Sequence, residues 1–141
     1  MPQHSPDYSK SAGPWVRIET FGFEHGVPRT VTGCLLVDLR GGGLNDPADR
    51  PELTDRDGKD PGVVQHVMAS RMTFTRIEQI VGQAKALLDF NASKNFVLRV
   101  LVGDDTGRTK AVVVGDAVAE ILTARGITTE VEHHHLGSTT T

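Results

Sequence analysis

From Trp15 to Thr20 the chain alternates with period two. Val16, Ile18 and Thr20 fall on one side and Trp15, Arg17 and Glu19 on the other, which predicts a strand. Thr32 to Asp38 predicts a second strand, with Cys34-Leu35-Leu36-Val37 expected to be buried. Residues 41–59 then turn to Gly, Pro and charge, a long loop with no repeat; inside a compact domain such a loop is more often functional or mobile than accidental. Asp60-Pro61 reads as N-cap and first helical position of a short helix toward Met68. Thr75-Arg76-Ile77-Glu78 fits a capping box. Behind it Ile77, Ile80, Val81, Ala84, Leu87 and Leu88 recur at helical spacing, so this helix is expected to lay one face on a sheet.

The pattern continues with a strand over Phe96–Val102 and a helix from Thr109 to Arg125, with Val114, Val118, Ile121 and Leu122 inward and Gly126 as C-cap. A last strand follows over Ile127–His133. Strands alternating with helices predict a single α/β domain with a small, largely parallel sheet flanked by helices. Residues 1–13, rich in Ser, Pro and Gly, are expected to form a flexible N-terminal arm and 137–141 a flexible tail, leaving 14–136 as the folded domain.

A parallel sheet has a chemical consequence, because ligands bind beyond the carboxyl ends of such strands. Phe21-Gly22-Phe23, Asp38-Leu39-Arg40, the loop opened by Gly103 and His133 all stand at those ends. The loop, Gly103-Asp104-Asp105-Thr106-Gly107-Arg108-Thr109-Lys110, joins an apolar strand to a helix start. Backbone N–H groups, a helix N-terminus and two cations thus gather in one small volume, an arrangement that holds phosphate or another anion. The bland alternative is an ordinary polar turn with solvated charges. Only three residues separate the glycines, so the loop is not a Walker element.

Arg40, Arg108 and Lys110 are the cations expected on a phosphate, with the amides of Thr106, Gly107 and Arg108 completing the cradle and the glycines allowing close backbone approach. Asp38 is expected to accept from sugar hydroxyls or to orient Arg40. Asp104 and Asp105 repel a phosphate and are expected to turn outward or to bind a cation. In His133-His134-His135, neighbours point to opposite faces, so only His133 and His135 could share an ion; no metal site is assigned, and His133 is expected at the ligand rim. His25 is expected to cap a backbone carbonyl. Asp55-Arg56-Asp57-Gly58-Lys59-Asp60 lacks the order of a calcium loop and reads as a charged turn.

Composition narrows the classes. A net charge of −3 offers no basic excess for nucleic acid. No apolar run approaches a membrane span of roughly 20 residues, and the first residues lack a signal peptide's apolar stretch. Cys34 is the single cysteine, which excludes an intrachain disulfide and points to a reducing cytoplasm; inside a strand it is expected to be inert. No serine stands in a nucleophile elbow.

Four motifs in order carry a family resemblance. Phe21-Gly22-Phe23-Glu24-His25-Gly26-Val27-Pro28 resembles the Phe-Gly-Phe-Lys-His/Tyr-Gly-Ile-Pro of the RapZ C-terminal domain, the RNase adapter protein family. Val37-Asp38-Leu39-Arg40 is similar to that family's Phe-Asp-Val-Arg. The loop keeps Gly103 and Gly107, with Arg108 for the family's lysine and Lys110 for its arginine, and departs at Asp104, Asp105, Thr106, Thr109 and Ala111. Glu130-Val131-Glu132-His133 resembles its last strand, and the likeness runs from Val16 to Leu136. It implies a sensor of an amino-sugar phosphate that also binds small regulatory RNAs, forms oligomers and follows a P-loop domain in the full-length protein. With no Walker motif, the chain is expected to be a stand-alone relative.

The expectation is therefore a non-enzymatic binding or regulatory module, without cofactor or metal, for a phosphorylated (sugar phosphate-like) or other anionic metabolite. The site residues would be Asp38, Arg40, Gly103, Thr106, Gly107, Arg108, Lys110 and His133. An RNA-binding adapter is one alternative, with weak binding expected because no Lys or Arg follows Arg125. A structural oligomer-forming domain with a decayed site is another, and a phosphoryl-transfer enzyme using Asp104 and Asp105 a third. A homo-oligomer or a protein partner is left open.

Overall fold

Alternation sets the first strand, and the computed structural model, which describes residues 15–30, 33–91 and 96–137, extends it. Strand β1 runs Trp15–Gly22, β2 Leu35–Asp38, β3 Val97–Asp104 and β4 Thr128–His133. All pairings are parallel, in the order β2-β3-β1-β4. Helices α1 (Pro61–Met68), α2 (Arg71–Phe90) and α3 (Lys110–Ala124) complete the α/β domain. Among the described residues no helix is long and apolar enough to cross a membrane. The expected arm over 1–13, most of the expected tail and the expected start of β2 at Thr32 lie outside the described residues.

One face of the sheet makes the core. Val16 and Ile18 of β1, Val37 of β2 and Leu98, Val100 and Val102 of β3 pack with α1, α2 and α3 residues such as Val67, Ile80 and Val118. On the other face Arg17, Glu19, Arg99, Glu130, Glu132 and His134 form a polar network, and Arg99 donates to the Arg29 carbonyl at 2.7 Å. The prediction that Cys34-Leu35-Leu36-Val37 is buried is corrected by this geometry. β2 is an edge strand, so Val37 is buried, Cys34 and Leu35 are half-buried, and Leu36, pointing to the helix-free face, is 46% exposed.

Asp60 caps α1 as its sequence indicates, accepting from the amides of Gly62 (2.8 Å) and Val63 (3.3 Å). The capping box at Thr75 is overturned: α2 starts at Arg71, its N-cap Ser70 accepts from the Met72 amide at 3.2 Å, and Thr75 lies inside the helix with its hydroxyl on the Arg71 carbonyl. The first turn hides itself in the hydropathy pattern. Met72 and Phe74 are exposed while Thr73 is buried, its hydroxyl donating to the Val67 carbonyl at 2.6 Å and stitching α1 to α2.

Candidate functional site

The register brings the predicted strand ends to one edge of the sheet: Gly103 pairs with Phe21 on one side and Asp38 on the other, and His133 pairs with Thr20. At that edge the polar groups separate into three clusters.

The first surrounds a cleft of about 800 Å³ between two walls. One wall is the loop after β3 with the start of α3, contributing Asp104, Asp105, Thr106, Arg108 and Lys110. The other is the long segment after β2, contributing Asp46, Leu53, Asp55 and Arg56. That segment is tied across by the Gly58 amide, which donates to the Arg108 carbonyl at 2.7 Å, and by Lys59, which binds Asp116 at 2.8 Å. Lys110 is only 7% exposed, not the surface charge its sequence position suggests, and its Nζ lies 3.6 Å from Asp46 Oδ2. Arg108 is half-buried, and its Nε is buried with no hydrogen-bond partner among the described residues.

Asp104 overturns an expectation. It is 1% exposed rather than turned outward, and its carboxylate accepts from the amides of Gly107 and, at 2.9 Å, Ala111. A carboxylate at a helix N-terminus satisfies orphan N–H groups and opposes the helix dipole. Thr109, the N-cap of α3, makes no side-chain cap of its own, so Asp104 serves that end of the helix. The chain's own anion thus occupies part of the amide cradle expected for a phosphate, and the Arg108 amide is taken by Thr106 Oγ1 at 3.2 Å. Burial pushes the Asp104 carboxyl above its ordinary 3.8, with the Ala111 and Gly107 amides pulling the other way. Asp105 is the acid that faces solvent.

The glycines answer to packing rather than to ligand approach. A Cβ on Gly103 would sit 2.5 Å from the Phe21 ring. Gly107 has φ 79°, and a Cβ there would sit 2.4 Å from the Gly22 nitrogen.

The second cluster is built on Asp38. Its carboxylate accepts from Arg40 Nε (3.0 Å), Nη2 (2.8 Å) and backbone N–H (2.9 Å), and this pairing holds the Asp38 carboxyl below its ordinary range. The guanidinium lies over the Phe23 ring, 3.6 Å from its centre. Asp38 therefore orients Arg40, the second of its two expected roles, and neither side chain lines the cleft.

The third cluster takes the histidines apart. His133 Nε2 donates to Asp116 Oδ1 at 3.0 Å, and its Nδ1 shares a hydrogen bond with the Thr20 hydroxyl at 2.7 Å. Burial would raise the Asp116 carboxyl, but the hydrogen bonds from His133 and Lys59 hold it below its ordinary range. The series hydroxyl–imidazole–carboxylate has the chemistry of a catalytic triad, yet Thr20 is fully buried and its hydroxyl cannot meet a substrate. His134 donates to Glu19 at 2.8 Å on the opposite face. His135 accepts from the Gly22 amide and stacks on His25 at 4.0 Å between ring centres, so His25 packs on a ring instead of capping a carbonyl. Burial, then the neighbouring His25 and His134, lowers the His135 imidazole.

The sequence pattern does not mark Asp46, places Arg56 only in a charged turn, and marks neither Thr20 nor Asp116 as a polar site residue. The length of the 41–59 segment was the available signal for the first two; nothing in its unrepeated pattern tells which side chains face a cleft.

Comparison with known proteins agrees with this arrangement of motifs. Residues 14–137 match the family profile described as the RapZ C-terminal domain. Relatives include the nucleotide-binding protein amb4396 of Paramagnetospirillum magneticum, 31% identical over 89% of this chain and 40% of the relative. The nucleotide-binding protein STH186 of Symbiobacterium thermophilum is 29% identical over 86% of this chain and 39% of its own. A nucleotide-binding protein of Desulforamulus reducens is 25% identical over 95% and 44%. The chain spans about two fifths of the length of these relatives.

Proposed function

Because the chain belongs to the RapZ C-terminal domain family, we propose that its cleft binds a phosphorylated, sugar phosphate-like or otherwise anionic metabolite and that the module regulates by occupancy, without turnover. The observation that carries this reading is the pairing, on one cleft wall, of the buried Arg108 Nε with the largely buried Lys110 side chain. Among the described residues Arg108 Nε has no hydrogen-bond partner and the Lys110 ammonium meets only a long ion contact. A buried donor left unpaired costs about 1–3 kcal/mol, more when charged, and a phosphate oxygen removes that cost. Thr106, Asp105 and Asp55 supply the polar rim for sugar hydroxyls. Gly103 and Gly107 shape the loop, Asp104 holds the start of α3, and the Asp38–Arg40 pair and His133 brace the same sheet edge from outside the cleft.

The names of the relatives mention nucleotides, so nucleotides belong in the test beside sugar phosphates and inorganic phosphate. A ligand at a hundred times its dissociation constant adds about 2.7 kcal/mol of stability, readily seen as a thermal shift. We expect such a shift for at least one phosphorylated compound and its loss in the double variant Arg108→Ala/Lys110→Met, which keeps the volume of the buried lysine stem. A double variant that is folded by circular dichroism and retains the full shift places the anion elsewhere.

We also place the module in the cytoplasm, where a protein partner or a second copy would read the occupied state. RNA binding is expected to be weak. With a net charge of −3 few phosphates can be neutralised, and a structured RNA at about 0.15 M salt should bind no tighter than about 1 μM in fluorescence anisotropy. Submicromolar binding overturns that expectation.

A further inference from the structure

The cleft carries its own competitor for the anion. Lys110 stands at the first position of α3, more than nine-tenths buried, and the acid nearest its ammonium comes from the opposite wall: Asp46 Oδ2 at 3.6 Å. That separation is longer than the 2.7–2.9 Å of a charge-assisted hydrogen bond. Asp46 is meanwhile engaged by its other oxygen, since Oδ1 accepts from the Ala48 amide at 2.9 Å and caps the short helical turn Pro47–Asp49. Its side chain is otherwise half open to solvent. Asp46 therefore neutralises the buried lysine without closing on it.

We propose that Asp46 is a selectivity residue of this site, a built-in counter-ion that an incoming anion must outcompete for Lys110; the inference rests on the cleft being an anion site. Its consequence is discrimination by charge. A monoanionic carboxylate brings one negative charge to replace the one Asp46 already supplies, and it meets the repulsion of the Asp46 and Asp104 carboxylates. A phosphate dianion brings two charges and enough oxygens to reach both Lys110 and the unpartnered Nε of Arg108. The acid on the wall thus opposes a doubly charged anion more strongly than a singly charged one, since the repulsion scales with the charge brought in, and it holds the affinity for phosphate down.

Asp46→Asn is the right probe, because asparagine caps a helical turn as well as aspartate and only the charge is lost. Glu52→Gln is the matched control: the same charge removed from the same segment, at a residue paired with Arg50 and outside the cleft. Binding of inorganic phosphate and of acetate is measured by calorimetry at about 0.15 M salt. Asp46→Asn should bind phosphate about tenfold tighter than the unaltered protein and acetate tighter by a smaller factor, so that the phosphate-to-acetate preference widens, while Glu52→Gln changes neither. Phosphate binding that is unchanged or weakened in Asp46→Asn, with the unaltered protein still binding, overturns the competitor role alone. If neither the unaltered protein nor Asp46→Asn binds phosphate, the anion site itself is overturned and this inference with it.

Discussion

Asp104→Ala destabilises the fold by about 4 kcal/mol, the largest effect expected of any single polar substitution here. Among the described residues the carboxylate is the one partner of two backbone amides, Gly107 and Ala111, in a volume where Asp104 itself is 1% exposed. Alanine leaves both N–H groups without an acceptor, and each unsatisfied buried donor costs about 1–3 kcal/mol. It also removes the negative charge from the N-terminus of α3, where Thr109 offers no side-chain substitute. Asparagine restores only part of this, since its single oxygen satisfies one amide and its NH₂ faces the other donor. Urea denaturation should rank the three proteins Asp, then Asn, then Ala. An alanine variant within about 1 kcal/mol of the parent means that water takes over both amides, and that Asp104 does not hold the loop.

This residue also marks where the sequence stopped being readable. The alternation of β1 and the Asp60-Pro61 start of α1 depend on local chemistry, and both appear in the structure where the pattern puts them. The gathering of Phe21, Asp38, Gly103 and His133 at one edge follows from parallel pairing, which the strand–helix order implies. Whether a carboxylate turns in or out depends on donors it finds after folding. Two adjacent aspartates, 104 and 105, therefore look alike in sequence and end in opposite surroundings. Lys110 misleads for a related reason. Positions 110–115 are buried all round, because the segment after β2 folds over a helix start that would otherwise show one open face. The wall that segment builds is the half of the cleft that no periodicity announces. The family resemblance supplied the loop's chemistry but not its wiring, since Asp104 stands at a position where this chain departs from the family pattern.

Glu19→Gln lowers stability by about 2 kcal/mol above pH 6, and the loss disappears in acid. Glu19 is 4% exposed on the helix-free face of the sheet, where it accepts from Arg99 Nε at 2.6 Å and from His134 at 2.8 Å, with Arg17 Nε 3.5 Å away. Glutamine leaves two guanidinium groups facing a neutral amide, although their partial exposure to solvent keeps the cost below that of a fully buried pair. The pH dependence follows from the direction of the shift. Burial would raise the Glu19 carboxyl, but the hydrogen bonds from Arg99 and His134 and the charges of Arg99 and Arg17 hold it below its ordinary 4.5. A group depressed in the folded state contributes stability that is present above its unfolded value and is lost as pH falls through the folded value. The parent should therefore lose this increment as pH falls below 4.5, while the glutamine variant has no charge at that position to lose. Stability curves measured downward from pH 7 should draw together as pH falls below 4.5. Parallel curves, separated by the same amount at every pH, show that the variant costs packing or hydrogen bonding and that the Glu19 charge contributes nothing to the fold.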